Sequence, residues 1–115
     1  MNDILYARLT QAARDKKFVS YADLSAAIEL SLTDAAGLNK LSILLEEIAD
    51  HELSARRPLL AAIIVNENSN MPGSGLFDYA KRKGLMKPKD KDKLAFFLAE
   101  AKKVHDFWSA KPPVE

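Results

Sequence analysis

Cysteine is absent from this 115-residue sequence, so disulfide staples, cysteine metal clusters and a thiol nucleophile are all excluded. The absence also fits a reducing compartment, and the cytoplasm is the expected location. No unbroken apolar run approaches the roughly 18 to 20 residues that span a bilayer. The opening segment "MNDILYARLTQAARDKK" has neither an apolar core nor a cleavage-type ending, so no targeting peptide is expected. Excess charge is scarce as well: a net +1 argues against a molecule built to seek polyanions along its whole surface. Internal repeats and low-complexity tracts are missing.

What remains is an ordinary globular balance, 48% hydrophobic and 29% charged, at the usual length of one domain. A single domain over residues 1–115 is expected. Ile4, Leu5, Leu9, Ala12 and Ala13 recur at helical spacing and predict a first helix ending near "RDKK". "FVS" is short and β-prone, and Ser20 with Asp23 three positions on has the form of a capping box for a second helix carrying Leu24, Ala27 and Ile28. Ser31 or Thr33 is placed to cap a third helix, whose apolar stripe is Leu38, Leu41, Leu44, Leu45 and Ile48.

Pro58 ends that helical tendency, and the continuous apolar run "LLAAIIV" from Leu59 to Val65 predicts a buried strand. Asn66, Asn68, Ser69, Asn70, Pro72, Gly73 and Gly75 then supply a loop, with the two glycines offering positive φ. A short helix from about Leu76 to Lys83 follows, closed by Gly84, and "MKPKDKDK" reads as a linker. Asp90 or Asp92 caps a long last helix in which Leu94, Phe97, Leu98, Ala101, Val104 and Trp108 share a face, ending before Pro112 and Pro113.

The segment "FVSYADLSAAI" resembles the entry to the helix-turn-helix of the alkylguanine alkyltransferase-like DNA-repair domains, and "GSGLFDYAKRKGL" is similar in pattern to their glycine-rich wing and following helix. That resemblance implies a winged-helix-like core with a short β-hairpin. The family's acceptor thiol sits in a Pro-Cys-His-Arg strand, and the run from Pro58 to Val65 has leucines and alanines there, so alkyl transfer is excluded. "PLLAAIIVNENSNMPGSGLF" also resembles a segment of small bacterial domains, which implies no function. The expected class is therefore α+β, mostly helical, with a winged-helix-like core, a short β-hairpin and a long C-terminal helix.

Charge is uneven along the chain. Asp34, Glu46, Glu47 and Asp50 face only Lys40 in the third helix region, whereas Lys81, Arg82, Lys83, Lys87, Lys89, Lys91 and Lys93 outweigh Asp90 and Asp92. The cationic run suits a nucleic-acid backbone, with Phe77 and Tyr79 near enough to stack on a base, but lysines also serve helix dipoles and solubility. As a major-groove reader the third helix offers Asn39, Lys40 and Ser42, then the acids Glu46, Glu47 and Asp50, which repel phosphate.

"PGSG" is suited to presenting N–H groups to an anion at a helix start, yet it lacks the Gly-Lys-Ser/Thr of a phosphate loop and serves equally as a turn. His51 and His105 stand beside acids without metal-ligand spacing, so no metal or cofactor is expected, and no nucleophile elbow is present. Two function classes follow. The favoured one is a non-enzymatic domain binding nucleic acid through Lys81 to Lys93, or a protein through the acidic third helix. The alternative is a small-ligand or catalytic domain organised around Asn66 to Gly75, which convergence of Asn66, Glu67 and Ser74 on one pocket would favour.

Overall fold

The computed structural model describes residues 1–31, 33–86 and 92–110, and the chain is α+β and mostly helical. Helix α1, Asp3–Arg14, starts at Asn2, whose side chain accepts from the Leu5 N–H, and buries Leu5, Leu9 and Ala13 at four-residue spacing. Strand β1, Val19–Ser20, leads directly into α2, Tyr21–Ala27, and Ser20 caps it by accepting from the Asp23 N–H at 3.0 Å. Helix α3, Ala35–Ser54, is capped by Asp34 rather than by Ser31 or Thr33; its carboxylate accepts the Gly37 N–H at 2.6 Å. A carboxylate at a helix N-terminus also meets the positive end of the helix dipole, which a hydroxyl does not exploit.

The run Leu59 to Val65 departs from the expected strand. Leu60–Ile63 forms a 3₁₀ turn, and only Ile64–Val65 is extended, as β2. Leu59, Leu60, Ala62, Ile63 and Ile64 have no exposed surface, and among the described residues the sole strand partner is the short β1, so an extended run would leave buried backbone groups unpaired. The turn satisfies part of them internally, and the Glu100 carboxylate accepts the Leu59 N–H at 3.0 Å. Strands β1 and β2 pair in parallel, Val19 with Ile64 and Ser20 with Val65. The expected β-hairpin is therefore not formed among the described residues.

Helix α4, Ser74–Arg82, ends as expected at Gly84, which adopts φ 76°. The Gly84 N–H bonds the Lys81 carbonyl and the Leu85 N–H the Ala80 carbonyl, the paired bonds that close a helix through a left-handed residue. Helix α5, Lys93–Ser109, is capped by Asp92 and buries Phe97, Glu100, Ala101, Val104 and Trp108. Leu94 and Leu98, expected on that face, are 52% and 54% exposed. The inward stripe is narrower than the apolar content of α5 because Glu100, paired with Leu59, occupies part of it. Leu44 on α3 is likewise only partly buried.

Helices α1, α3 and α5 all pack on the 3₁₀ turn, which is the centre of the core. The sharpest polar feature in it is Glu52 on α3, with no exposed surface. Arg57 reaches its two oxygens from Nε at 3.1 Å and from an Nη at 2.8 Å, and the Tyr6 hydroxyl donates to it at 3.0 Å. These bonds hold the Arg57 guanidinium above its ordinary pKa, while burial raises that of Tyr6. Among the described residues no helix is long and apolar enough to cross a membrane.

Candidate functional site

Helix α3 carries more leucine than one buried stripe needs. Leu38, Leu41, Leu45 and Ala49 follow one another by three and four residues, with Ser42 beside Leu41, and this face runs from exposed Leu38 to buried Leu41 and Ala49. It forms one wall of a groove of about 330 Å³, whose floor is Ala61 and Ile64. The facing wall is Tyr21, Asn66, the segment Gly73, Ser74, Gly75 and Leu76 at the start of α4, and Tyr79.

The mouth near α4 is shaped by a close approach. The Tyr21 hydroxyl oxygen accepts the Gly73 N–H at 3.1 Å, and a Cβ at Gly73 would stand 3.3 Å from that oxygen. Burial raises the Tyr21 pKa and the bond from Gly73 offsets only part of it, so the hydroxyl keeps its proton and can donate it. Gly73 is also the N-cap of α4, with φ −73° and no side chain to cap with, so first-turn N–H groups of α4 are left open. Gly75 has no atom within 4 Å of where its Cβ would lie. Neither glycine adopts positive φ, against expectation; in this loop the left-handed residue is Asn70, at φ 55°. The Asn66 to Asn70 tip is exposed and held as a turn by Asn66 N–H to Met71 carbonyl and Asn70 N–H to Asn66 carbonyl bonds, at 2.8 and 2.9 Å.

The other end is strapped by charge. Arg82 on α4 bonds Glu46 on α3 at 2.8 Å, and Asp50 accepts from the Tyr79 hydroxyl at 2.6 Å and pairs with Lys83 at 3.5 Å. The Arg82 guanidinium lies 5.5 Å and the Lys83 ammonium 5.6 Å from the Tyr79 ring centre. The hydrogen bond from Tyr79, with help from Lys83 and Arg82, holds Asp50 below the usual carboxylate range; burial and then Asp50 push Tyr79 well above its ordinary value.

The acidic third helix and the basic end of α4 thus face each other. Of the basic residues singled out by sequence, Arg82 and Lys83 are paired to α3, Lys81 is half-buried on α4, and Lys93 sits with its ammonium 5.5 Å from the Phe77 ring centre. Lys87, Lys89 and Lys91, with Asp90 and the end at Pro112 and Pro113, lie outside the described residues. Asn66 and Ser74 do meet, both lining the groove, whereas Glu67 turns away to accept from the Ser20 hydroxyl at 3.2 Å. Tyr21, Leu38, Leu41, Leu45 and Tyr79 were not foreseen as groove residues. Their one signal was an α3 stripe too wide for a single buried face.

Chemically, the groove combines an apolar floor with hydroxyl and N–H groups at one end. No hydrogen bond joins Ser42 or Ser74 to a histidine or carboxylate, so neither is set up as a nucleophile among the described residues. His51 lies edge-on to Tyr6 and His105 sits 2.9 Å from the Lys17 carbonyl, both away from the groove. No group of three or more His, Asp or Glu side chains converges as a metal would need, among the described residues. Comparison with protein-family models, curated proteins and solved structures finds no match for this chain.

Proposed function

We propose that this chain is a non-enzymatic binding domain, that its binding element is the groove between α3 and α4, and that its ligand is a small, largely apolar molecule. The observation that carries this reading is the groove itself: buried Leu41, Ala49 and Ile64 at its base and the 48% exposed Leu38 at its side, beside a few hydroxyl and amide groups. That is the usual composition of a ligand site, and a volume of about 330 Å³ falls at the small end of such sites. Exposed apolar surface costs free energy when nothing covers it, so an apolar occupant has a driving force.

Binding to a nucleic-acid backbone is the weaker reading. It depends on cations free to replace counterions, and Arg82 and Lys83 already have acidic partners on α3. The acids of α3 are drawn into the same contacts, which weakens protein docking through that face. We retain a winged-helix-like kinship as a proposal for the N-terminal part only, supported by the order α1, β1, α2, α3. A cytoplasmic location is likewise proposed, on the lack of cysteine.

The test is a titration followed by amide NMR, using small aromatic and aliphatic probes on the full chain. Shifts should concentrate on Leu41, Leu45, Ile64, Gly75 and Tyr79. Ser42→Phe, at an exposed helical position on the groove wall, should block binding while leaving the urea midpoint unchanged. Glu at Lys87, Lys89 and Lys91 together should leave probe binding as it was. Probe shifts scattered over the surface, or a Ser42→Phe variant that binds as well as the parent, would overturn the reading.

A further inference from the structure

We infer that the occupant of the groove is a free monocarboxylic acid with an apolar tail, its carboxylate at the Tyr21, Ser74 and Gly75 end and its tail along Leu41, Leu45 and Ile64. This rests on the groove being a ligand site, and names what that ligand is.

The cavity marks the site, and its two ends differ in chemistry. At the far end each charge is already matched, Glu46 by Arg82 and Asp50 by Tyr79 and Lys83, so a charged head gains little there. At the near end hydroxyl and backbone N–H donors without a protein acceptor among the described residues, on exposed Ser74 and Gly75, stand beside the Asn66 side chain. The Tyr21 oxygen is engaged by the Gly73 N–H, which leaves its proton to point elsewhere. The Ser74 hydroxyl has no partner among the described residues, and α4 has no capping side chain. The Asn66 amide gives one of its two N–H bonds to the Met71 carbonyl at 3.2 Å. No carboxylate side chain lines this end to compete for those donors.

An ammonium head would find the hydroxyl oxygens and the Asn66 amide oxygen there, but would face the positive end of the α4 dipole. A neutral alcohol can accept one or two of the bonds, but without the charge that strengthens them. A carboxylate complements the donors with both oxygens. The tail then covers the exposed part of the α3 stripe, which includes Leu38 at 48% exposure. A free acid fits better than a peptide C-terminus, because a preceding peptide unit would place a backbone N–H and C=O against Leu41, Leu45 and Ile64 with no partner.

The experiment is calorimetric titration of the intact chain with decanoate, decan-1-ol and decylamine below their aggregation concentrations. Decanoate should bind roughly tenfold more tightly than decan-1-ol, and decylamine most weakly. Ser74→Pro removes one N–H at the first helical position, where proline is favoured; Gly73, at φ −73° and ψ 168°, already has the extended conformation that precedes proline. This variant should lose about fivefold for decanoate and little for decan-1-ol. Ser74→Ala, which keeps the N–H, separates the hydroxyl contribution and serves if the proline variant loses helicity by circular dichroism. Equal affinity for decanoate and decan-1-ol would overturn the carboxylate assignment and leave the groove standing as an apolar site. Binding by none of the three overturns both. A short peptide ending in a free leucine carboxylate that binds more tightly than decanoate overturns the free-acid occupant.

Discussion

Removing Arg57 tests whether the buried charge on α3 is held by one partner. In Arg57→Met the apolar stem survives, but Glu52, with no exposed surface, loses the bonds at 3.1 and 2.8 Å and keeps the Tyr6 hydroxyl at 3.0 Å, with His51 Nε2 further off at 3.9 Å. Breaking a buried pair from one side costs about 3 to 5 kcal/mol, because the remaining charge is stranded. Arg57 is itself 25% exposed, which admits some water to the carboxylate and places the loss near about 3 kcal/mol. Urea unfolding followed by far-UV circular dichroism measures it. Fluorescence of Trp108, the chain's single tryptophan, gives a second signal, with its baseline corrected for the Arg57 guanidinium now 5.8 Å from the ring centre. Replacing both partners, Glu52→Leu with Arg57→Met, should recover most of that stability to within about 1 kcal/mol of the parent, since well-packed apolar residues substitute for a buried pair at little cost. A single and a double variant with equal midpoints would refute the reasoning, showing that the pair does not carry the penalty assigned to it.

Phe97→Ala should cost about 3 to 5 kcal/mol, as a ring 3% exposed is removed, whereas Leu44→Ala, at a partly buried position, should cost about 1 to 2 kcal/mol; chemical denaturation compares them. Asp50 is depressed below its ordinary 3.8 in the folded state, so its contribution to stability is present above that value and disappears as pH falls through the folded pKa. Tyr79→Phe removes the main cause, and the acid limb of a stability-against-pH curve should flatten there. Gly84→Ala should cost about 1 kcal/mol because φ is 76°, while Gly75→Ala, with open space at its Cβ, should not lower the midpoint.

The helices were legible because each is signalled twice, by an apolar period and by its ends. Ser20, Asp92 and Gly84 do what their residue types predict, and Asp34 replaces Ser31 and Thr33 only by a shift of cap within the same short segment. The run Leu59 to Val65 was misread because a fully buried segment has no polar phase to reveal its period, and β-branched residues bias the choice toward a strand. What decided it was a tertiary fact, the lack of a long strand to pair with. The groove was half legible. Asn66 and Ser74 were found through the loop that carries them; Leu41 is in the core as its stripe predicts and Leu45 packs against it, but Leu38 on the same stripe is 48% exposed, because periodicity shows that a face is apolar and not what lies against it.

The same limit explains the charges. Read along the chain, Glu46 and Asp50 form one block and Arg82 and Lys83 another, far apart in sequence, and each block looks like a surface for a partner. Folding brings α4 alongside α3, and the blocks become each other's partner. These exposed pairs contribute little stability singly, being screened by water. What they do is join α4 to α3 at this end through long side chains, where leucine packing on leucine would otherwise be needed. At the other end Gly73 and Gly75 bring no side chain to fill the gap, and Tyr21 closes on Gly73 instead. Part of the apolar face of α3, Leu38 at 48% exposure, therefore stays uncovered between a strap of charge and a pair of glycines, and the groove follows from what those residues are too long, or too small, to do.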